Sequence, residues 1–228
     1  MSSGEILYQI SIWLLPVLLA ITLHEAAHGF VAHWLGDDTA FKLGRVTLNP
    51  LRHIDPFGTV LLPGMLLLFK APFVFGYAKP VPVRFGRLRQ PKRDMVLVAL
   101  AGPGANLVLA TMAAFLLHLP PLLPVGVQGW SFYNLINMLM LNLILAVFNM
   151  LPIPPLDGGR VLVGLLPPPL DLKFARLERY GLLILLALLL IVPLLARQLG
   201  SNFNPLATFI GPVVRMLYNF LVSLSGLA

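Results

Sequence analysis

Five apolar runs, at 6–34, 94–118, 131–151, 179–199 and 205–226, each approach the ~20 residues an α-helix needs to cross a bilayer. The expected fold class is an all-α polytopic membrane bundle of about five transmembrane helices plus a re-entrant/β-hairpin segment. It forms one domain over 1–228, with a core at about 6–165 and accessory helices at about 170–226. Composition agrees, at 58% hydrophobic and 11% charged residues. The net charge of +7 does not point to nucleic acid. The basic residues lie in loops between apolar runs, where anionic lipid and insertion bias account for them, and no basic patch is interleaved with base-stacking aromatics. With no cysteine, thiol nucleophiles and thiolate ligands are excluded, so any metal must be held by His, Asp or Glu. Glu5 stands where a signal peptide would be positive, and no A-x-A site follows, so the first run is expected to remain as a helix.

Two runs are irregular. The last contains Pro205, Pro212 and Arg215, which leaves a crossing and an interfacial placement both open. The segment Phe57 to Phe69 is too short to span and is punctuated by Gly58, Pro63 and Gly64, which reads as a re-entrant element. If it dips and returns, Lys42, Arg45, Arg52, Lys70, Lys79, Arg84, Arg87, Arg89, Lys92 and Arg93 share one side with Arg160, Lys173, Arg176 and Arg179. The opposite loop, Leu119 to Trp130, is uncharged. The positive-inside rule then predicts a cytoplasmic basic side, an external N-terminus and a cytoplasmic C-terminus. From Phe73 to Phe85, alternation with Pro80 and Pro82 predicts short edge strands, which either pair with an unwound polypeptide or plug the bundle.

The first run ends in His24-Glu25-Ala26-Ala27-His28. On a helix, positions i and i+4 share a face, so His24 and His28 can present two imidazole nitrogens to one zinc while Glu25 reaches a water beside it. Ionisable side chains in a spanning helix are costly and by default functional. Eighteen helical steps from Ile6 put His24 about 27 Å along, near the cytoplasmic end. A third ligand must come from a segment at the same depth. The run Asn149 to Gly159 qualifies: Pro152, Pro154 and Pro155 break the helix near that end, and Gly158 and Gly159 allow close backbone approach to Asp157. His24, His28 and Asp157 are the expected metal ligands, with water in the fourth position and Glu25 as the general base. An aspartate before glycine also serves in turns, and Asp55 in a basic loop and Asp94 at a helix start are competing third ligands. His33 points to another face. His53 either lines the site or bonds a turn, the turn being favoured, and His118 lies at the far end. In Ala101 to Asn106 the small residues suit helix packing, with Asn106 able to bond across to the metal-site helix or to touch substrate. Asn149 either donates to an oxyanion formed during attack or packs between helices.

Over about residues 10 to 165 the chain resembles the site-2 protease family of intramembrane zinc metalloproteases, in the order His24 to His28, Ala101 to Asn106, then Asn149 to Gly159 with Leu156-Asp157-Gly158 at its core. The resemblance implies a three-helix catalytic core, Zn2+ on His24, His28 and Asp157, Glu25 as base, and Asn149 at the bound substrate or oxyanion. It implies a single-span membrane-protein substrate that unwinds locally, and a membrane-associated hairpin over 54–93. No PDZ insertion is evident. The expected location is a plasma membrane, with the site near its cytoplasmic face. A metal transporter and a non-catalytic binder of membrane helices are the competing classes. The glutamate lodged between two ligands, and the lack of paired broken helices, speak against transport.

Overall fold

A computed structural model describes residues 2–68 and 76–227. Its long elements are α1 (Ser3–Trp34), α2 (Pro91–Leu116), α3 (Val125–Asn149), the short α4 (Asp157–Leu165), α5 (Leu170–Gln198, helical with 3-10 and π turns) and α6 (Pro205–Ser225). Five of them, α1, α2, α3, α5 and α6, are long and apolar enough to cross a membrane. Local chemistry sets their starts. Ser2 and Glu5 form a reciprocal capping box on α1, Ser2 N–H donating to Glu5 Oε2 at 2.7 Å. Pro91 opens α2, where Asp94 accepts from Gln90 N–H at 2.8 Å. Asp55 accepts from Phe57 and Gly58 N–H in the same way at the start of Pro56–Leu61. Both competing carboxylates are therefore spent as helix caps.

Helices α1, α2 and α3 pack against one another, and α6 closes the bundle against α2 and α3. In lipid the gain is close fit and dispersion rather than release of water, so small residues matter. Ala110, Ala113 and Ala114 of α2 let Leu139 and Leu143 of α3 and Val214 of α6 approach until all are buried. Polar bonds fix the register: Trp130 Nε1 donates to Ser11 Oγ at 3.0 Å, and Asn137 Nδ2 to Ile12 O at 3.1 Å.

The starts of α1 and α3 thus lie at one end of the bundle. His118, just past α2, bonds Ser225 O at 2.7 Å, so α6 runs parallel to α2 and finishes at that same uncharged-loop end. This corrects the expectation that the first and last helices place the chain's two ends on opposite sides. That expectation required 179–199 to carry the chain the full way across. Only residues 199–204 join α5 to α6, and at ~3.3–3.6 Å per residue they cannot span ~30 Å of hydrocarbon. The end of α5 therefore stops short of the far end, after a start anchored at the basic end by Lys92 Nζ on Asp171 Oδ2 at 2.7 Å.

The expected re-entrant element at Phe57 to Phe69 and the expected edge strands at Phe73 to Phe85 are also corrected, among the described residues. The described part is helical over Pro56–Leu61 and Leu62–Leu68, and 76–84 is an irregular strap with no strand. Residues 69–75 lie outside the described residues. The strap forms no ladder because its donors are spent on four separate partners. Tyr77 N–H donates to Gly58 O (3.0 Å), Lys79 to His53 O (2.9 Å), Val81 to Glu25 Oε2 (2.8 Å) and Arg84 to Asp37 Oδ2 (2.6 Å). Pro80 and Pro82 have no N–H to give.

Asp37, fully buried, ties the exit of α1 to this strap, accepting from Thr39 N–H at 3.0 Å and from its hydroxyl as well as from Arg84. Burial raises its pKa, but the Thr39 hydroxyl and the Arg84 and Thr39 amides together outweigh burial and hold it below the ordinary carboxylate range. A depressed folded pKa stabilises above the unfolded value, and this stability is lost as pH falls through the folded one. Asp37→Ala should cost about 1–3 kcal/mol near neutral pH, through amides left without an acceptor. Thermal unfolding in detergent from pH 7 down to acid should show this difference shrinking; a constant difference would refute the assignment.

Candidate metal centre

The catalytic-looking residues of α1 lie against the middle of α2 and the start of α4. His24 and His28, one turn apart, bring their Nε2 atoms to 3.0 Å from each other. Asp157 Oδ2 lies 3.2 Å from the first and 3.3 Å from the second. All three side chains are buried. The outer ring nitrogens are already committed: His24 Nδ1 donates to Asn106 Oδ1 at 2.6 Å and His28 Nδ1 to Val98 O at 2.7 Å. These partners assign the Nδ1–H tautomer to both rings, which turns two Nε2 lone pairs inward. Asp157 Oδ2 is itself buried without a hydrogen-bond donor. Three electron-rich atoms converging with no donor between them suit a cation. Their separations match the ~3.3 Å edge of a tetrahedron with ~2.0–2.1 Å zinc–ligand bonds, and two imidazoles with one carboxylate leave the fourth corner open. The residues fit Zn2+. Among the described residues this is the one group of three His, Asp or Glu side chains close enough to share an ion.

Backbone shape builds this corner. A Cβ on Gly102 of α2 would come within 2.4 Å of His28 Nε2 and 2.6 Å of His24 Nε2, so only glycine leaves room for the rings. After α3, the chain folds back so tightly that a Cβ on Gly158 would fall 2.2 Å from Met150 O. This fold-back swings Asp157 under α1. No side chain caps α4, so the Asp157 carboxylate is free of that duty.

Asn106 is corrected as a substrate contact. It is fully buried, with Oδ1 accepting from His24 and Nδ2 shared between Ala20 O (3.3 Å) and Asn142 Oδ1 (2.7 Å). Asn142 in turn donates to Met138 O at 2.8 Å. Asn106 is a positioning residue that fixes the tautomer and plane of the first ring. Asn106→Ala should weaken zinc binding by about 10–100-fold, read by competition with a chromophoric chelator. Unchanged affinity would refute the role.

Glu25 is half-buried, its Oε2 accepting from Val81 N–H. It lines, with His24, His28 and Asp157, a cavity of about 390 Å³ whose other walls include Ile21, Phe148, Asn149 and Leu185. Asn149 Nδ2 donates to Leu145 O at 3.0 Å, within its own helix. The remaining histidines lie elsewhere. His33 pairs with Asp38 at 2.7 Å and stacks on Phe41; His53 is buried and bonds Thr47 O at 3.0 Å; His118 holds Ser225. Gly102, Asn142 and the Val81 amide escaped the sequence reading. Asn142 had a signal, as an amide inside an apolar run, and Val81 had only its two flanking prolines.

The family model described as Peptidase family M50 matches residues 125–192, from α3 into α5. "Putative zinc metalloprotease YwhC" of Bacillus subtilis (strain 168) is 41% identical over 180 residues, 76% of this chain and 78% of that protein. "Putative zinc metalloprotease Rip2" of Mycolicibacterium smegmatis is 34% identical over 182 residues, 79% of this chain and 66% of that protein. The protein of the same name in Mycobacterium tuberculosis (strain H37Rv) is 34% identical over 175 residues, 76% and 64% respectively. The chain thus spans about two thirds of the length of the mycobacterial relatives. No solved structure matches it.

Proposed function

Because this chain belongs to peptidase family M50, the site-2 protease family, and is by that membership a zinc metalloprotease, we propose that it is an intramembrane endopeptidase that cuts single-span membrane proteins in or near their spanning helix. The observation that carries this reading is the buried triangle of His24, His28 and Asp157 beside Glu25, opening on an apolar cavity among membrane-length helices.

Zinc, when bound by His24, His28 and Asp157, supplies Lewis acidity toward the scissile carbonyl and makes a bound water more acidic. Glu25 takes the proton of the attacking water as its oxygen bonds the carbonyl carbon, then delivers a proton to the amide nitrogen as the C–N bond breaks, leaving a carboxylic acid and an amine. The Val81 N–H, donating to Oε2, holds the Glu25 carboxyl in one rotamer and leaves its other oxygen for the proton transfer. Asn149, on the cavity wall, is the amide assigned to the oxyanion, after rotation away from Leu145 O. The apolar walls exclude bulk water and fit an unwound apolar peptide.

Purified protein in vesicles, given a panel of single-span substrates, should release fragments whose new ends map by mass spectrometry inside or beside the apolar span. Cuts confined to water-exposed loops would overturn the intramembrane reading. We assign the basic end of the bundle to the cytoplasm. Single cysteines at Arg87 and Gln128 should then label from opposite faces of intact cells and inverted vesicles, and labelling from one face would refute that assignment.

A further inference from the structure

Helix α6 buries Ile210, Val214 and Leu221 against α2 and α3 along its length, so it crosses with them rather than lying flat at the interface. Its other face carries Thr208, Pro212, Arg215 and Asn219, all exposed and three or four residues apart, one stripe of the helix. Beside the stripe runs an apolar groove of about 650 Å³ between α3 and α6, walled by Ile136, Met140 and Ile144 on one side and Gly211 and Tyr218 on the other. Arg215 also lines this groove and has no hydrogen bond or ion pair among the described residues.

Depth makes that guanidinium informative. Arg215 is eight residues from Ala207 and ten from Ser225, hence about 12 and 15 Å from the two ends of the span. Snorkelling covers roughly half of either distance. A cation at this depth, facing lipid with an amide one turn away, lacks the counter-charge that intramembrane arginines require. A second copy of the chain cannot supply it. Of the nine acidic residues, Glu25 and Asp157 sit in the metal centre and Glu178 pairs with Arg160. The rest lie in first turns or connecting segments, at the ends of the bundle.

We propose that this stripe docks a spanning helix of another membrane protein that carries an aspartate or glutamate near mid-depth. The carboxylate pairs with Arg215, Asn219 donates alongside, and Gly211 lets the backbones approach. The groove next to it receives the apolar side chains of the same helix. This surface lies on α6, apart from the metal centre, and its test does not depend on catalysis.

The chain lacks cysteine, so one introduced cysteine labels it uniquely. Full-length protein in phosphatidylcholine vesicles, with and without phosphatidylglycerol, is titrated, by energy transfer, with a Leu/Ala model spanning peptide bearing a central Glu, Gln or Leu. The Glu peptide should associate about tenfold more tightly than the Leu peptide, and Arg215→Leu should erase the difference. Arg215→Glu should prefer a peptide with a central Lys. Equal binding of Glu and Leu peptides overturns the proposal. It is equally overturned if Arg215→Leu alters only binding to anionic lipid, or only self-association without peptide.

Discussion

Glu25→Gln should lower cleavage of a single-span substrate by about a thousandfold while the protein retains one zinc per chain, because general-base transfer contributes typically 10²–10⁴ to such reactions. The change is nearly isosteric. Its amide still offers an oxygen to Val81 N–H, so the strap keeps its anchor and the cavity its shape. Glu25 supplies none of the three convergent ligand atoms, so metal affinity should hold. Paired measurement of zinc content and turnover in vesicles separates the outcomes: normal cleavage would show that another group takes the proton. Loss of zinc together with cleavage would move Glu25 from the base to the support of the metal.

Gly102→Ala should be as damaging by a different route. The added methyl would lie inside the contact distance of both imidazoles, 2.4 Å from His28 Nε2 and 2.6 Å from His24 Nε2. Neither ring can retreat cheaply, since each is held from behind, by Asn106 and by the Val98 carbonyl. Overpacking of this kind costs about 1–3 kcal/mol even where side chains can adapt. Here the cost falls on the ligand atoms, and zinc should drop below stoichiometric levels with activity lost in parallel. Gly104, just beyond Pro103 on the same helix, has open space where its Cβ would be, so Gly104→Ala should fold and bind zinc normally and serves as the control. Full zinc occupancy in Gly102→Ala would show that the rings sit elsewhere in solution.

Hydropathy and length made the spanning helices legible, and helical spacing made His24, Glu25 and His28 legible, because both are local properties of the chain. Asp157 was legible one step further out, from the depth at which the prolines break α3. Long-range hydrogen bonding was not. The strap at 76–84 alternates like a strand, yet each donor finds a different partner contributed by residues roughly 20 to 60 positions away. The direction of α6 was hidden for a similar reason. Charge counting sees connecting loops, whereas the fit of Val214 and Leu221 beside Ala113 and Leu139, and the His118–Ser225 bond, settle how the helix lies. Asn106 was legible as an amide able to bond across to the metal-site helix, whereas its second hold, on Asn142 of α3, was not.

The shared amide of Asn106 has a mechanical consequence. One side chain grips Ala20 and His24 on α1 and Asn142 on α3 while belonging to α2. Prising any two of these three helices apart would tear away the support of a metal ligand before a guest polypeptide could reach it. A door in this bundle has to open elsewhere. The wall formed by Leu182 and Leu185 of α5 is apolar and touches the same chamber, and neither residue takes part in that three-way grip.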